Sequence, residues 1–95
     1  MVDLSGVLQF ERGKNKKYRA ILKNGRTVEF GAKGYQHYKD QVPKSLGGGL
    51  YTAYDHLDEK RRQLYRIRHR AIIARGQPAY KKKYSPAWFS WYLLW

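Results

Sequence analysis

The sequence predicts a small single-domain α+β protein in which a short sheet is covered by two helices. Three observations carry this prediction: alternating residues on either side of Asn24-Gly25, a helical pattern that begins at Asp55, and an aromatic segment after Ser85-Pro86. A chain of 95 residues suits one domain with a small core, since it buries only about 60–65% of its unfolded surface. The aromatic content of 16% is enough for packing and argues against intrinsic disorder.

We expect the sheet to span residues 7–31, as a hairpin or as three strands. Asn24-Gly25 supplies the positive φ angles that a two-residue type I′ turn requires. Such a turn pairs Ile21 with Val28 and places both on an apolar face with Phe30. The opposite face then carries Tyr18, Ala20 and Leu22.

Residues 32–54 are expected to form a loop. Gly47–Gly49 predicts a flexible hinge from its composition. It is not a phosphate-binding loop, because Lys44-Ser45 precedes the glycines and no helical pattern follows them.

A long basic helix is predicted over residues 55–75. Asp55 is the expected N-cap. Asp58 and Glu59 suit the first turn, because their negative charge stabilises the positive end of the helix dipole. Gly76 and Pro78 are expected to end the helix.

Helical periodicity gives this helix an apolar side, expected to cover the sheet, and a basic side. The apolar arc holds Leu57, Leu64, Ile67, Ala71, Ile72 and Ala74. The basic ridge holds Arg62, Arg66, His69 and Arg70. Arg61 and Arg68 fall inside the apolar arc, where a guanidinium either pairs with a carboxylate or contacts a partner. We favour a structural ion pair, with Glu29 and Asp40 as candidate carboxylates.

The terminal segment, residues 85–95, predicts a short helix that is apolar on nearly every side. Ser85 is the expected N-cap, and Pro86 suits the first helical position. Its helically spaced aromatic residues are Trp88, Trp91, Tyr92 and Trp95. Such a helix needs cover from its own domain, from a partner protein or from a membrane surface, of which the membrane is the least favoured.

The positive charge is concentrated in the second part of the chain. Residues 1–59 hold ten basic and seven acidic residues, whereas residues 60–95 hold ten basic residues and no acidic one. The excess is either a solvated face or a contact with an acidic partner. Residues suited to phosphate contacts are Arg62, Arg66, Arg70, Lys81, Lys82 and Lys83. Binding of nucleic acid by these residues would tolerate any base sequence.

The sequence gives no sign of catalytic chemistry. There is no cysteine, and the three histidines lack the spacing of a zinc site. No serine lies in a nucleophile-elbow context. We therefore expect a protein that is not an enzyme, with no metal, cofactor or small-molecule substrate.

Three ordered blocks resemble a family of small basic uncharacterised proteins encoded by large icosahedral DNA viruses of eukaryotes. The first block runs from Lys17-Tyr18-x-Ala20 through Asn24-Gly25 to Phe30-Gly31-x-Lys33-Gly34-Tyr35. The second is His56-x-Asp58-x-x-Arg61-Arg62-x-x-Tyr65-x-x-Arg68-His69, and the third is Ser90-Trp91-Tyr92-Leu93-Leu94-Trp95. The chain departs from the pattern by a longer loop between Tyr38 and Tyr54.

The resemblance implies a place in the virus particle, preceded by a stay inside the infected cell. Such particles need small proteins that cement the capsid and basic proteins that condense the genome. We expect a structural minor capsid protein that bridges larger subunits, with Trp88, Trp91, Tyr92 and Trp95 contacting other virion proteins. The alternative is a sequence-tolerant protein that binds double-stranded DNA.

Overall fold

The protein, described over residues 2–74 and 76–95 in a computed structural model, has a three-stranded antiparallel sheet followed by two helices. The strands are β1 (Val7–Arg12), β2 (Lys16–Leu22) and β3 (Thr27–Ala32), in that order across the sheet. The helices are α1 (Glu59–Arg70) and α2 (Pro86–Leu93), and the small hairpin between them pairs β4 (Ile73–Ala74) with β5 (Gln77–Pro78). The predicted α+β class is confirmed.

The turn between β2 and β3 has one residue more than the sequence predicted. Gly25, at φ 89°, donates its N–H to the carbonyl oxygen of Leu22. The N–H of Leu22 in turn bonds the carbonyl oxygen of Arg26 at 2.8 Å. The connection is therefore the three-residue loop 23–25, with glycine in the left-handed conformation that such loops require.

This longer turn shifts the pairing of the strands by one residue. Tyr18 lies opposite Phe30 and Ala20 opposite Val28, and all four are buried. The predicted pairing of Ile21 with Val28 was wrong, because a shift of one residue moves side chains to the other face of the sheet. Ile21 instead lies opposite Thr27.

Aromatic rings form the centre of the core between the sheet and α2. Phe30 of β3 stacks on Phe89 of α2 with ring centroids 5.0 Å apart, and on Tyr18 at 5.6 Å. Phe10 of β1 meets Phe89 edge to face at 5.9 Å. The terminal helix therefore supplies part of the core of the domain.

The glycines of the long loop have a packing role. A Cβ atom on Gly47 would lie 2.2 Å from the main-chain oxygen of Phe10, and one on Gly48 would lie 2.1 Å from that of Val42. No side chain fits at these distances. Composition predicted a hinge here, and the structure adds a steric requirement for glycine.

Helix α1 is shorter than predicted at both ends. Its N-cap is Asp58, which accepts hydrogen bonds from the N–H groups of Lys60 and Arg61. The predicted cap, Asp55, was wrong because the left-handed φ of 55° at Leu57 prevents a helix from starting earlier. The helix ends at Arg70, before the predicted end at Arg75, which lies outside the described residues.

Helix α2 begins as the sequence predicted. The Ser85 side chain accepts a hydrogen bond from the N–H of Trp88 at 3.1 Å, and Pro86 occupies the first turn. No helix in the described ranges is long and apolar enough to cross a membrane.

Candidate interaction surfaces

Helix α1 turns Arg62, Arg66 and His69 of its basic ridge towards the domain, the reverse of the predicted orientation, and leaves Arg70 exposed. Nε of Arg62 donates to the main-chain oxygen of Trp95 at 2.6 Å, and the Arg66 guanidinium donates to the same oxygen at 3.2 Å. Arg62 also lies 4.7 Å from the ring centroid of Tyr38, and Arg66 lies 4.7 Å from a ring centroid of Trp91. A planar guanidinium packs well on aromatic faces, so these arginines serve as packing residues.

Tyr65 lies between these arginines and is the buried residue of α1. Its ring stacks on Trp95 with centroids 4.2 Å apart, and on His69 at 3.8 Å. Burial raises the pKa of Tyr65 to about 12. This aromatic contact fixes which side of the helix faces inwards.

The predicted apolar arc consequently faces solvent. Leu64 and Ile67 occupy the outer side of α1, and Ile72 and Ile73, which follow the helix in the chain, are exposed as well. Their exposed fractions range from 48% to 63%, far above those of the core residues. We call Leu64, Ile67, Ile72 and Ile73 the outer apolar face. Leu57 and Ala71 are also exposed, and the side chain of Ala74 lies outside the described part of the chain.

Arg61 and Arg68 do not form the predicted structural ion pair. Both are exposed, and neither is in a salt bridge with a described residue. The candidate carboxylates are engaged elsewhere, since Glu29 pairs with Arg19 at 3.5 Å and Asp40 accepts the hydroxyl of Tyr18 at 2.5 Å. The Arg61 guanidinium donates to the side chain of Gln36 at 3.0 Å.

The terminal aromatic helix is covered by its own domain. Trp88 and Trp91 are buried, and Trp91 stacks on Tyr80 with ring centroids 4.0 Å apart. Trp95 is half-buried, and 38% of Tyr92 is exposed. The self-contained alternative is therefore the one that the structure shows. A partner meeting this surface would contact Tyr92 and the accessible part of Trp95.

The other residues predicted to contact nucleic acid are at the surface. Arg70, Lys81 and Lys82 are exposed and are not in salt bridges with described residues. Lys83 is exposed as well, but its ammonium lies 2.6 Å from a carboxylate oxygen of Asp3. That hydrogen bond raises the pKa of Lys83 and lowers that of Asp3.

A groove of about 500 Å³ opens between β3, the loop after it and the inner edges of both helices. Its lining includes four basic residues and one acidic residue: Lys16, Lys17, Arg61, Arg68 and Glu29. The Glu29 carboxylate is occupied by the N–H groups of Asn15 and Lys16 and by Arg19, contacts that lower its pKa. The groove therefore has an excess of positive charge.

A buried hydrogen-bonded chain supports one wall of this groove. Lys17, only 2% exposed, donates from Nζ to the main-chain oxygen of Tyr35 at 2.5 Å and to Nδ1 of His37 at 2.9 Å. Nε2 of His37 lies 2.6 Å from a carboxylate oxygen of Asp55. This geometry is satisfied by a neutral imidazole that accepts at Nδ1 and donates at Nε2. Burial lowers the pKa of both Lys17 and His37, and the nearby Lys17 charge lowers that of His37 further.

Sequence reasoning did not find this chain of hydrogen bonds or the groove. The alternation of β2 places Lys17 on the same side as Arg19, where a lysine is ordinarily solvated. His37 and Asp55 are far from it in sequence, and their bridge brings the two ends of the long loop together. No spacing rule connects these three residues.

Only part of the chain matches a known protein family. A model of a family of unknown function (DUF5754) matches residues 6–46. This match covers the sheet and the first part of the long loop, and it leaves out both helices. No curated protein and no solved structure is significantly similar to the chain.

Proposed function

We propose that the protein is a non-enzymatic structural protein of a large DNA virus particle, a minor capsid component that bridges larger capsid subunits. The observation that carries this proposal is the outer apolar face. Four large aliphatic residues on α1 and directly after it are exposed, in a domain that buries most of its tryptophan surface. Exposed apolar surface of this kind is typical of protein–protein contact sites.

The charge around this face favours an acidic partner protein. Lys60 and Arg70 flank the face on α1, and residues 60–95 contain no acidic residue. A second copy of the chain would bring like charges together, whereas an acidic surface would complement them. The partner is therefore expected to present an apolar groove with acidic residues at its rim.

The virus context is supported by the resemblance of the three sequence blocks. Small cementing proteins gain stability from the subunits that they join, which suits a domain with a small core. The surface for this contact is now expected on α1, because the tryptophans proposed from the sequence are largely buried.

The test compares a double variant with a single control variant in purified particles. Leu64→Ser with Ile67→Ser removes half of the outer apolar face, and Leu8→Ser is the control because Leu8 is equally exposed on β1. We expect the double variant to be lost from particles washed at high salt, and the control to be retained. A photo-crosslinking residue at position 67 should join the chain to a larger capsid protein. Retention of the double variant at the level of the control would contradict the proposal.

A second candidate function, sequence-tolerant binding of double-stranded DNA, is supported by Arg70, Lys81 and Lys82, which are exposed and in no salt bridge with a described residue. Its test is the dependence of binding on salt. Replacing these three residues by Gln should reduce the slope of log affinity against log salt by up to about 0.9 per lost phosphate contact. The matched control replaces Lys23, Arg26 and Lys44, which are exposed at other sites. Equal effects of the two triple variants would reject a defined DNA surface.

A further inference from the structure

We propose that the groove between β3 and α1 binds a nucleotide, with its phosphate on Arg61 and Arg68 and its base on the ring of Tyr35. This inference is separate from the docking function, because none of Leu64, Ile67, Ile72 and Ile73 lines the groove. A volume of about 500 Å³ is in the range of small-molecule sites.

The phosphate would be held by the two arginines. Arg61 and Arg68 are seven residues apart on α1, so they project from the same side of the helix two turns apart. Both line the groove and are free of salt bridges with described residues, and Arg61 donates only to the neutral side chain of Gln36, so both guanidinium groups keep donors for an anion. Arginine binds phosphate through two parallel hydrogen bonds, which makes it well suited to this contact.

The base would stack on Tyr35. This residue lines the groove, yet 71% of it is exposed, and its ring forms no aromatic pair within residues 2–74 and 76–95. An exposed ring beside a cationic groove is the arrangement that binds unpaired bases, because every base has a face on which it can stack.

The buried lysine holds the backbone of Tyr35 in place. The Lys17 ammonium donates to the main-chain oxygen of Tyr35, while His37 and Asp55 complete the hydrogen-bonded chain behind it. Tyr35 is therefore attached to the sheet through its backbone, although its side chain is exposed. Fixing the backbone in advance reduces the ordering that binding would require.

The experiment is an NMR titration of the full-length chain with inorganic phosphate, AMP, a single-stranded tetrathymidylate and a double-stranded oligonucleotide. We expect AMP or the tetrathymidylate to shift the amide signals of groove residues Gly31, Ala32 and Ser90 in a saturable way. Arg61→Gln with Arg68→Gln should weaken that binding at least about tenfold, and Tyr35→Ala at least about fivefold. The control, Lys23→Gln with Arg26→Gln, has the same charge and should bind within about twofold of the unmodified chain.

Each outcome decides the inference. Binding of AMP supports a free nucleotide as the ligand, and binding of the tetrathymidylate alone supports an unpaired nucleotide of a strand. Equal affinity for inorganic phosphate and AMP would overturn it, as would equal weakening in the control. Double-stranded DNA that shifts the same amides as strongly would also overturn it. Ile67→Ser, which alters the outer apolar face at a residue that does not line the groove, should leave the titration unchanged. This separates the result from the fate of the docking function.

Discussion

At the scale of single residues, buried polar groups hold the long loop against the sheet. The Tyr18 hydroxyl donates to Asp40 and accepts the N–H of Leu50 at 2.8 Å. Tyr18→Phe removes both hydrogen bonds and leaves the buried carboxylate of Asp40 and the partly buried N–H of Leu50 with fewer partners. We expect it to lower the free energy of unfolding by about 2 kcal/mol, measured by urea denaturation. Tyr35→Phe is the control, since its hydroxyl is at the surface, and a similar loss there would contradict this explanation.

His37 makes stability depend on pH in the mildly acidic range. Its folded pKa lies below the ordinary value of 6.5, mainly because of burial. The unfolded chain therefore binds the proton more readily, and stability falls as pH drops below 6.5. His56, whose pKa is also lowered by burial, acts in the same direction.

We expect denaturation midpoints at pH 7.5, 6.5 and 5.5 to decrease in that order, and His37→Gln to make the decrease smaller. An imidazole titration by NMR gives a direct check. A midpoint above 6.5 for His37 would show that this explanation is wrong.

The residue scale is also where sequence reasoning predicted least. Lys17, His37 and Asp55 meet only because the long loop folds back on the sheet, and each alone resembles an ordinary surface residue. The arginines show the same limit. Their spacing placed Arg62 and Arg66 on one side of a helix correctly, but it did not reveal the aromatic rings that would receive them.

At the scale of elements, two positions require glycine for different reasons, one for its backbone conformation and the other for lack of space. Gly25 has a left-handed φ of 89°, and an added Cβ would meet nothing within 4 Å. Gly48 has no such φ, but an added Cβ would meet the main-chain oxygen of Val42 at 2.1 Å. We expect Gly25→Ala to cost about 1 kcal/mol, for conformational reasons alone. Gly48→Ala should cost about 3 kcal/mol, because backbone must move.

Thermal denaturation of both variants tests this difference. Equal losses would mean that the close approach at Gly48 does not constrain the fold.

The orientation of α1 gives a sharper prediction. If the helix packed as its periodicity suggested, Ile67→Ala would create a cavity in the core. Such a change typically lowers the free energy of unfolding by roughly 2–5 kcal/mol. With Ile67 at the surface, we expect a loss of less than about 0.5 kcal/mol. Tyr65→Ala is the opposite case and should cost about 3 kcal/mol, since it removes a buried ring. A larger loss for Ile67→Ala than for Tyr65→Ala would restore the orientation predicted from the sequence.

The positions of the strands and helices in the sequence were largely predictable, whereas the strand pairing and the orientation of α1 were not. Alternation located β2 and β3, and Ser85-Pro86 located the start of α2. Pairing depended on one extra turn residue, which Asn24-Gly25 alone does not specify because glycine suits both turn lengths. Periodicity divided α1 into two sides, but hydrophobicity did not indicate which side Trp91 of α2 and Trp95 after it would cover.

At the scale of the whole molecule, the net charge of +13 opposes the compact state. The described salt bridges use only a few of the basic residues, so most positive charges repel one another across the surface. Added salt screens this repulsion over about 10 Å at 0.1 M. We expect the melting temperature to rise between 20 and 300 mM NaCl (about one order of magnitude in ionic strength), as measured by calorimetry. A fall over that range would mean that specific ion pairs outweigh the repulsion.

The stacked pair of Tyr65 and Trp95 also gives the molecule an internal optical probe. The two rings are nearly parallel, 4° apart, with centroids 4.2 Å apart, so their electronic transitions should couple. Trp95 lies beside the groove, and Tyr65 belongs to the helix that carries the outer apolar face. Movement of α1 away from the tryptophan would change the circular dichroism of this pair and the emission of Trp95. Occupation of either surface could thus be followed by light alone, without attaching a dye.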